Sequence, residues 1–224
     1  MADNYYDATG VLMLDKVTPV ITALFGAFDL DETYPGNGAV YIARISESND
    51  PQWENVFEGL VDLTNKLSLQ LPPGDEVTIE SYLHLLARQF HAEDNDELEN
   101  LIEHHSFEDG ADLEALFLLA RCFDDGHGLK AIRFEGAWHC SKPRLFEFGG
   151  DGCFLSREVR LFSTTTQALE LAEGLRKAML ADAPKEAASL ILQETLDLLS
   201  GIQDDKLRAK LQRYVAECLL ASSS

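Results

Sequence analysis

The side chains whose types could do chemistry gather in the middle of the chain. Asp124-Asp125-Gly126-His127-Gly128 sets two carboxylates and an imidazole within one short loop, a group that could hold a metal or move a proton if it converged. The spacing is not that of a calcium loop, and no second motif elsewhere completes it. The segment reads better as a helix end whose glycines turn the chain into a strand. His139-Cys140, with Cys122 and Cys153, offers the nitrogen and sulfur that zinc takes, and a thiol beside an imidazole is the start of a nucleophile. Their spacing matches no zinc signature, and adjacent strand residues point to opposite faces, so buried apolar roles are expected. Gly149-Gly150-Asp151-Gly152 resembles a phosphate cradle. It lacks the helix start and the Lys-Ser/Thr of a P-loop, and it is expected as a hairpin turn. His104-His105 end a predicted helix, where the dipole favours them. No catalytic residue, metal ligand or cofactor is expected from these groups.

A different kind of candidate is the densest acidic stretch. Asp94, Asp96, Glu97, Glu99 and Glu103, followed by Glu108 and Asp109, form a docking surface for a basic protein on one reading and an ordinary solvated helix on the other. Asp94-Asn95-Asp96-Glu97 has capping-box-like spacing. Asp96, Glu99 and Glu103 stand at i, i+3 and i+7, along one side of a helix.

The charge around this stretch gives the docking reading its weight. The 224 residues carry a net −21. Residues 1–110 hold 22 Asp/Glu against 4 Lys/Arg, and residues 111–224 hold 17 against 14. Such a field repels nucleic-acid and membrane phosphates and attracts basic partners. Direct nucleic-acid binding and membrane association are therefore not expected. Solubility alone is the plainer explanation of the charge.

Hydrophobic residues at 46% and charged residues at 25% suit a globular domain. The opening Met-Ala-Asp-Asn-Tyr-Tyr-Asp lacks a signal peptide's basic start and apolar core. No apolar run approaches the ~18 residues of a membrane span. Four cysteines without a Cys-x-x-Cys pair fit a reducing compartment. The cytoplasm is the expected location.

These residues need elements to hold them. A strand is expected over Val11–Leu14. Thr18-Pro19 caps a helix over about 19–28, Asp31–Gly38 is a loop, and Ala39–Ile45 alternates as a strand. Helices follow near 53–67, 79–90, 96–104 and 111–123, with a break at Leu71–Asp75. A three-stranded meander is expected over Leu129–His139, Arg144–Phe148 and Cys153–Phe162, with turns at Cys140–Pro143 and Gly149–Gly152. In that register Phe134, Trp138, Phe146, Phe148, Cys153, Leu155, Val159 and Leu161 share an apolar face. Ser163–Gln167 caps a further helix, Pro184 opens another that stops at Ser200-Gly201, and a last one runs over about 204–220. Ser222–Ser224 is a polar tail.

Ala23-Leu24-Phe25 and Ala115-Leu116-Phe117 lie 92 residues apart, and Gly36/Gly128, Ala39/Ala131 and Val40/Ile132 keep that offset. The expected fold is α+β, with antiparallel sheet covered by helices, two related ferredoxin-like halves suggested by the repeat, and a C-terminal helical extension. Its segments are 1–74 (α+β), 75–163 (helices and meander) and 164–224 (helices). The leading functional expectation is an acidic, non-enzymatic interaction protein that binds a basic partner, a DNA-mimic inhibitor being its sharpest form. The alternative is an enzyme or small-molecule binder with a pocket between sheet and helices.

Overall fold

The computed structural model describes residues 3–142 and 144–221. Pro143, at the end of the first expected meander turn, and the 222–224 tail lie outside them.

The chain builds one six-stranded antiparallel sheet and eight α-helices among the described residues. Strand β1 (Asn4–Met13) leads into α1 (Pro19–Phe25) and a 3-10 turn, then the hairpin β2 (Asp31–Gly36) and β3 (Ala39–Ile45). Four helices follow: α2 (Trp53–Lys66), α3 (Ile79–Gln89), α4 (Asp96–His104) and α5 (Leu113–Cys122). Strands β4 (Ala131–Cys140), β5 (Phe148–Ser156) and β6 (Arg160–Thr164) complete the sheet, and α6 (Thr165–Leu180), α7 (Pro184–Ser200) and α8 (Asp205–Ala221) end the chain.

The spatial order is β2-β3-β1-β4-β5-β6. Its first four strands have the split βαβ order of a ferredoxin-like sheet. In this chain the second crossover has grown to four helices, and two strands have been added beyond β4. The architecture is thus one extended ferredoxin-like unit, not two. The 92-residue similarity aligns α1 with α5 and β3 with β4, which flank β1 on either side. It ends there, because the same offset from α2 falls on β5.

Local chemistry explains the helices. Thr18 caps α1 through its side chain with Pro19 at the first position, and Thr164 and Gln167 form a reciprocal capping box on α6. Helix α2 buries Trp53, Val56, Leu60 and Leu63 at helical spacing. Helices α1 to α5 cover one sheet face, where Leu12, Ile42, Ile132 and Leu155 are fully buried. One apolar cluster runs from Ala8 to Leu155. Residues 31–36, expected as a loop, pair with β3 as an edge strand broken by a register shift between Asp31 and Pro35.

The meander forms with different boundaries. Gly149–Gly152 is strand, not turn, and the reversal falls after Ser156, whose hydroxyl accepts from the N–H groups of Glu158 and Val159. The glycines have another purpose: a Cβ at Gly149 would collide with the Trp138 indole, so Gly149 lets that ring lie across the strand. Phe134 pairs with Cys153, and Cys153 with Phe162. Phe134, Trp138, Cys153 and Leu155 keep the helix-facing side assigned to them. Phe148 turns to the opposite face, Leu161 likewise, and Phe146 stands 94% exposed in the β4–β5 connection.

Candidate functional site

Helix α4 is held by buried Leu98 and Ile102, which turns its carboxylates outward. Asn95 is the N-cap, accepting from Leu98 N at 3.0 Å, so the cap lies one residue beyond the expected Asp94. Asp94, Asp96, Glu97, Glu99 and Glu103 are all exposed. Glu97 lies 3.6 Å from the Arg121 guanidinium of α5, and Glu99 and Glu103 each lie 4.0 Å from an imidazole, His84 and His104 respectively. The surface extends beyond α4. Glu54, Glu58 and Asp62 repeat every fourth residue along α2, and α2, α3 and α4 pack in succession. Residues 53–110 hold 14 Asp/Glu and only 2 Lys/Arg. Every one of those acids except Glu80 is exposed.

A second arrangement lies on the helix-facing side of the sheet, beside the start of α5. It is a cleft of about 260 Å³. Tyr6, Phe28, Phe134 and Phe162 give it aromatic walls, and Asp112, Glu114 and Asp151 bring carboxylates to it. The Tyr6 hydroxyl donates to Asp151 at 2.9 Å. Burial, then that hydrogen bond, raises the phenol's pKa well above its ordinary value. Arg44 stands over the Tyr6 ring at 5.6 Å and pairs with Asp50 at 2.7 Å. Cys153 also lines the cleft, and burial pushes its thiol up to about 12. A thiol so raised stays protonated near neutrality and is a poor nucleophile. Nothing in the sequence pointed to Tyr6 and Asp151 as a pair, since 145 residues separate them.

The other candidates are tied into the fold. Asp125 accepts from the Thr18 hydroxyl at 2.6 Å and from Val20 N at 3.1 Å, fastening the loop to the start of α1. His127 is 2% exposed. Its Nδ1 accepts from Leu129 N at 2.8 Å, which puts the ring proton on Nε2, 3.0 Å from the Ala120 carbonyl. His105 joins Asp112 at 2.9 Å and packs edge-on to Trp53. His139 stacks on Tyr5 at 5.2 Å, while Cys153 faces the helices. Among the described residues, no cluster of three or more His, Cys, Asp or Glu is placed to hold a metal ion, and no helix is long and apolar enough to cross a membrane.

Comparison with protein-family models, curated proteins and solved structures finds no match to the chain. Its functional reading rests on its own geometry.

Proposed function

We propose that this chain is a non-enzymatic interaction protein that presents the acidic surface of its α2–α4 layer to a basic partner. The observation that carries this reading is the imbalance over residues 53–110, fourteen carboxylates to two cations with nearly all the acids exposed. A duplex nucleic acid likewise offers closely spaced negative charge, about one per 1.7 Å. A nucleic-acid-binding factor is therefore the fitting class of partner, and inhibition by mimicry the fitting consequence. Four cysteines without a Cys-x-x-Cys pair favour a reducing compartment such as the cytoplasm. Affinity capture from the native host lysate at low and at high salt tests the reading. Basic nucleic-acid-binding proteins held at low salt and released at high salt are the expected result.

The aromatic cleft favours a second reading, a small-molecule binder. Aromatic faces and three carboxylates in one cleft, with its single arginine already paired, suit an organic cation. Thermal shift of the full chain with small amines separates this reading from the first.

A further inference from the structure

The last three helices are covered far less than the rest of the molecule. Helix α8 buries no side chain, and α6 and α7 bury one each, Ala178 and Leu199. Their apolar residues nevertheless keep the spacing of a packed seam. On α7, Ala188, Ile191 and Leu198, with the polar Thr195 between the last two, recur at intervals of three and four, and on α8 so do Leu207, Leu211 and Tyr214. That is the period of helices that pack along their length. Ile191 and Leu198 are 55% and 58% exposed, and Leu207 and Tyr214 are 46% and 50% exposed. Isolated exposed leucines need no explanation, but a periodic run of them on adjoining helices does.

We infer that this face is covered by a second copy of the chain, the α7–α8 pairs of two copies packing about a two-fold axis. Charge singles out the occupant. Residues 164–224 hold 9 Asp/Glu and 7 Lys/Arg, a net −2, which leaves −19 of the −21 on the remainder. Two copies of so acidic a chain repel each other chiefly through residues 1–110, at −18, and far less through residues 111–224, at −3, which include this segment. The segment is also complementary to itself. Lys206, Lys210 and Arg213 line one edge of α8, whereas Glu186, Glu194 and Asp197 lie on α7. A two-fold contact sets the α8 of each copy against the α7 of the other and satisfies both.

The size is adequate. Two helices of 17 residues, each about 25 Å long and about 10 Å wide, present roughly 500 Å² per copy. The pair then buries about 1,000 Å², the lower bound for a specific interface. The joint between the helices is fixed to the sheet: Arg160 N donates to Gly201 O at 2.8 Å and Gln203 N to Glu158 O at 3.0 Å. The face is thus held in place before the second copy arrives.

Light scattering on the full chain at micromolar concentration is expected to give twice the mass of one chain. Ile191→Glu with Leu198→Glu, and separately Leu207→Glu with Tyr214→Glu, should each give a monomer. The tryptophan fine structure of their near-ultraviolet dichroism, which reports Trp53 and Trp138 outside these helices, should be unchanged. Phe148→Ser with Phe154→Ser, on the far face of the sheet, should leave the dimer intact. A wild-type monomer at all accessible concentrations would overturn the inference, and so would a dimer that survives both helix variants. A monomer that sediments with phosphatidylglycerol vesicles would also overturn it, assigning the face to lipid.

Discussion

The Tyr6 phenol donates a 2.9 Å hydrogen bond to Asp151 Oδ1, reaching from β1 to β5 over the intervening strand β4. It crosses at Gly136, the residue of β4 paired with both Ala8 and Asp151. A Cβ at Gly136 would collide with the Tyr6 hydroxyl. One glycine therefore permits a contact that ties three strands together and forms one wall of the aromatic cleft.

Removing this hydrogen bond leaves a half-buried carboxylate without its donor. Tyr6→Phe is expected to cost about 1–3 kcal/mol, read as a lower urea midpoint with an unchanged slope. No measurable loss would mean that water replaces the phenol without penalty.

The register of the meander is tested by two phenylalanines. Phe134 is 7% exposed and meets the Phe28 ring edge-on at 6.4 Å. Phe134→Ala should cost about 3–5 kcal/mol, the lost burial plus the cavity. Phe146 is almost wholly exposed, and Phe146→Ala should cost under about 0.5 kcal/mol. Equal losses in denaturant melts would restore the pairing in which Gly149–Gly152 forms the turn.

Stability should fall in alkali earlier than ordinary residues require. Burial pushes the Cys153 thiol up to about 12 and the Cys122 thiol up to about 11. In the unfolded chain both ionise near 9.0. Between those values the unfolded state binds fewer protons than the folded one, so unfolding becomes easier as pH rises. The stabilising contribution is complete below pH 9.0 and is lost as pH climbs toward the folded values. The melting temperature should decline over this range, and less steeply in Cys122→Ala with Cys153→Ala. Parallel declines in the two proteins would show that the thiols take no part.

Much of the helical framework was legible because its signals are local. Thr18-Pro19, Pro184 and the Thr164/Gln167 box set their helix starts without tertiary help. The sheet was harder. Asp31, Pro35 and Gly36 carry turn chemistry yet form an edge strand by pairing with β3. Gly149 reads as a turn residue until the Trp138 ring above it is known. The same divide runs through the candidate sites. The α4 carboxylates could be read directly, since exposure on a helix follows from periodicity. The Arg121–Glu97 approach, the Tyr6–Asp151 bond and the seating of Asp125 at the start of α1 depend on long-range topology that no local pattern encodes.

We propose docking of a basic partner on the acidic layer. Its most direct test is lysate capture with the full chain and with the triple variant Asp96→Asn, Glu99→Gln, Glu103→Gln, at low and high salt. The three side chains are exposed on a helix held from beneath by Leu98 and Ile102, so the variant should stay folded, with a melting temperature equal to or slightly above that of the parent. Screening confines such attraction to about 8 Å at physiological ionic strength, and association should slow as salt rises while dissociation changes less. A basic partner should be retained by the parent at low salt, lost at high salt, and held more weakly by the variant at low salt. The same partners captured by both proteins at every salt concentration would contradict this docking, leaving the acidic layer with solubility as its role and the aromatic cleft as the functional site.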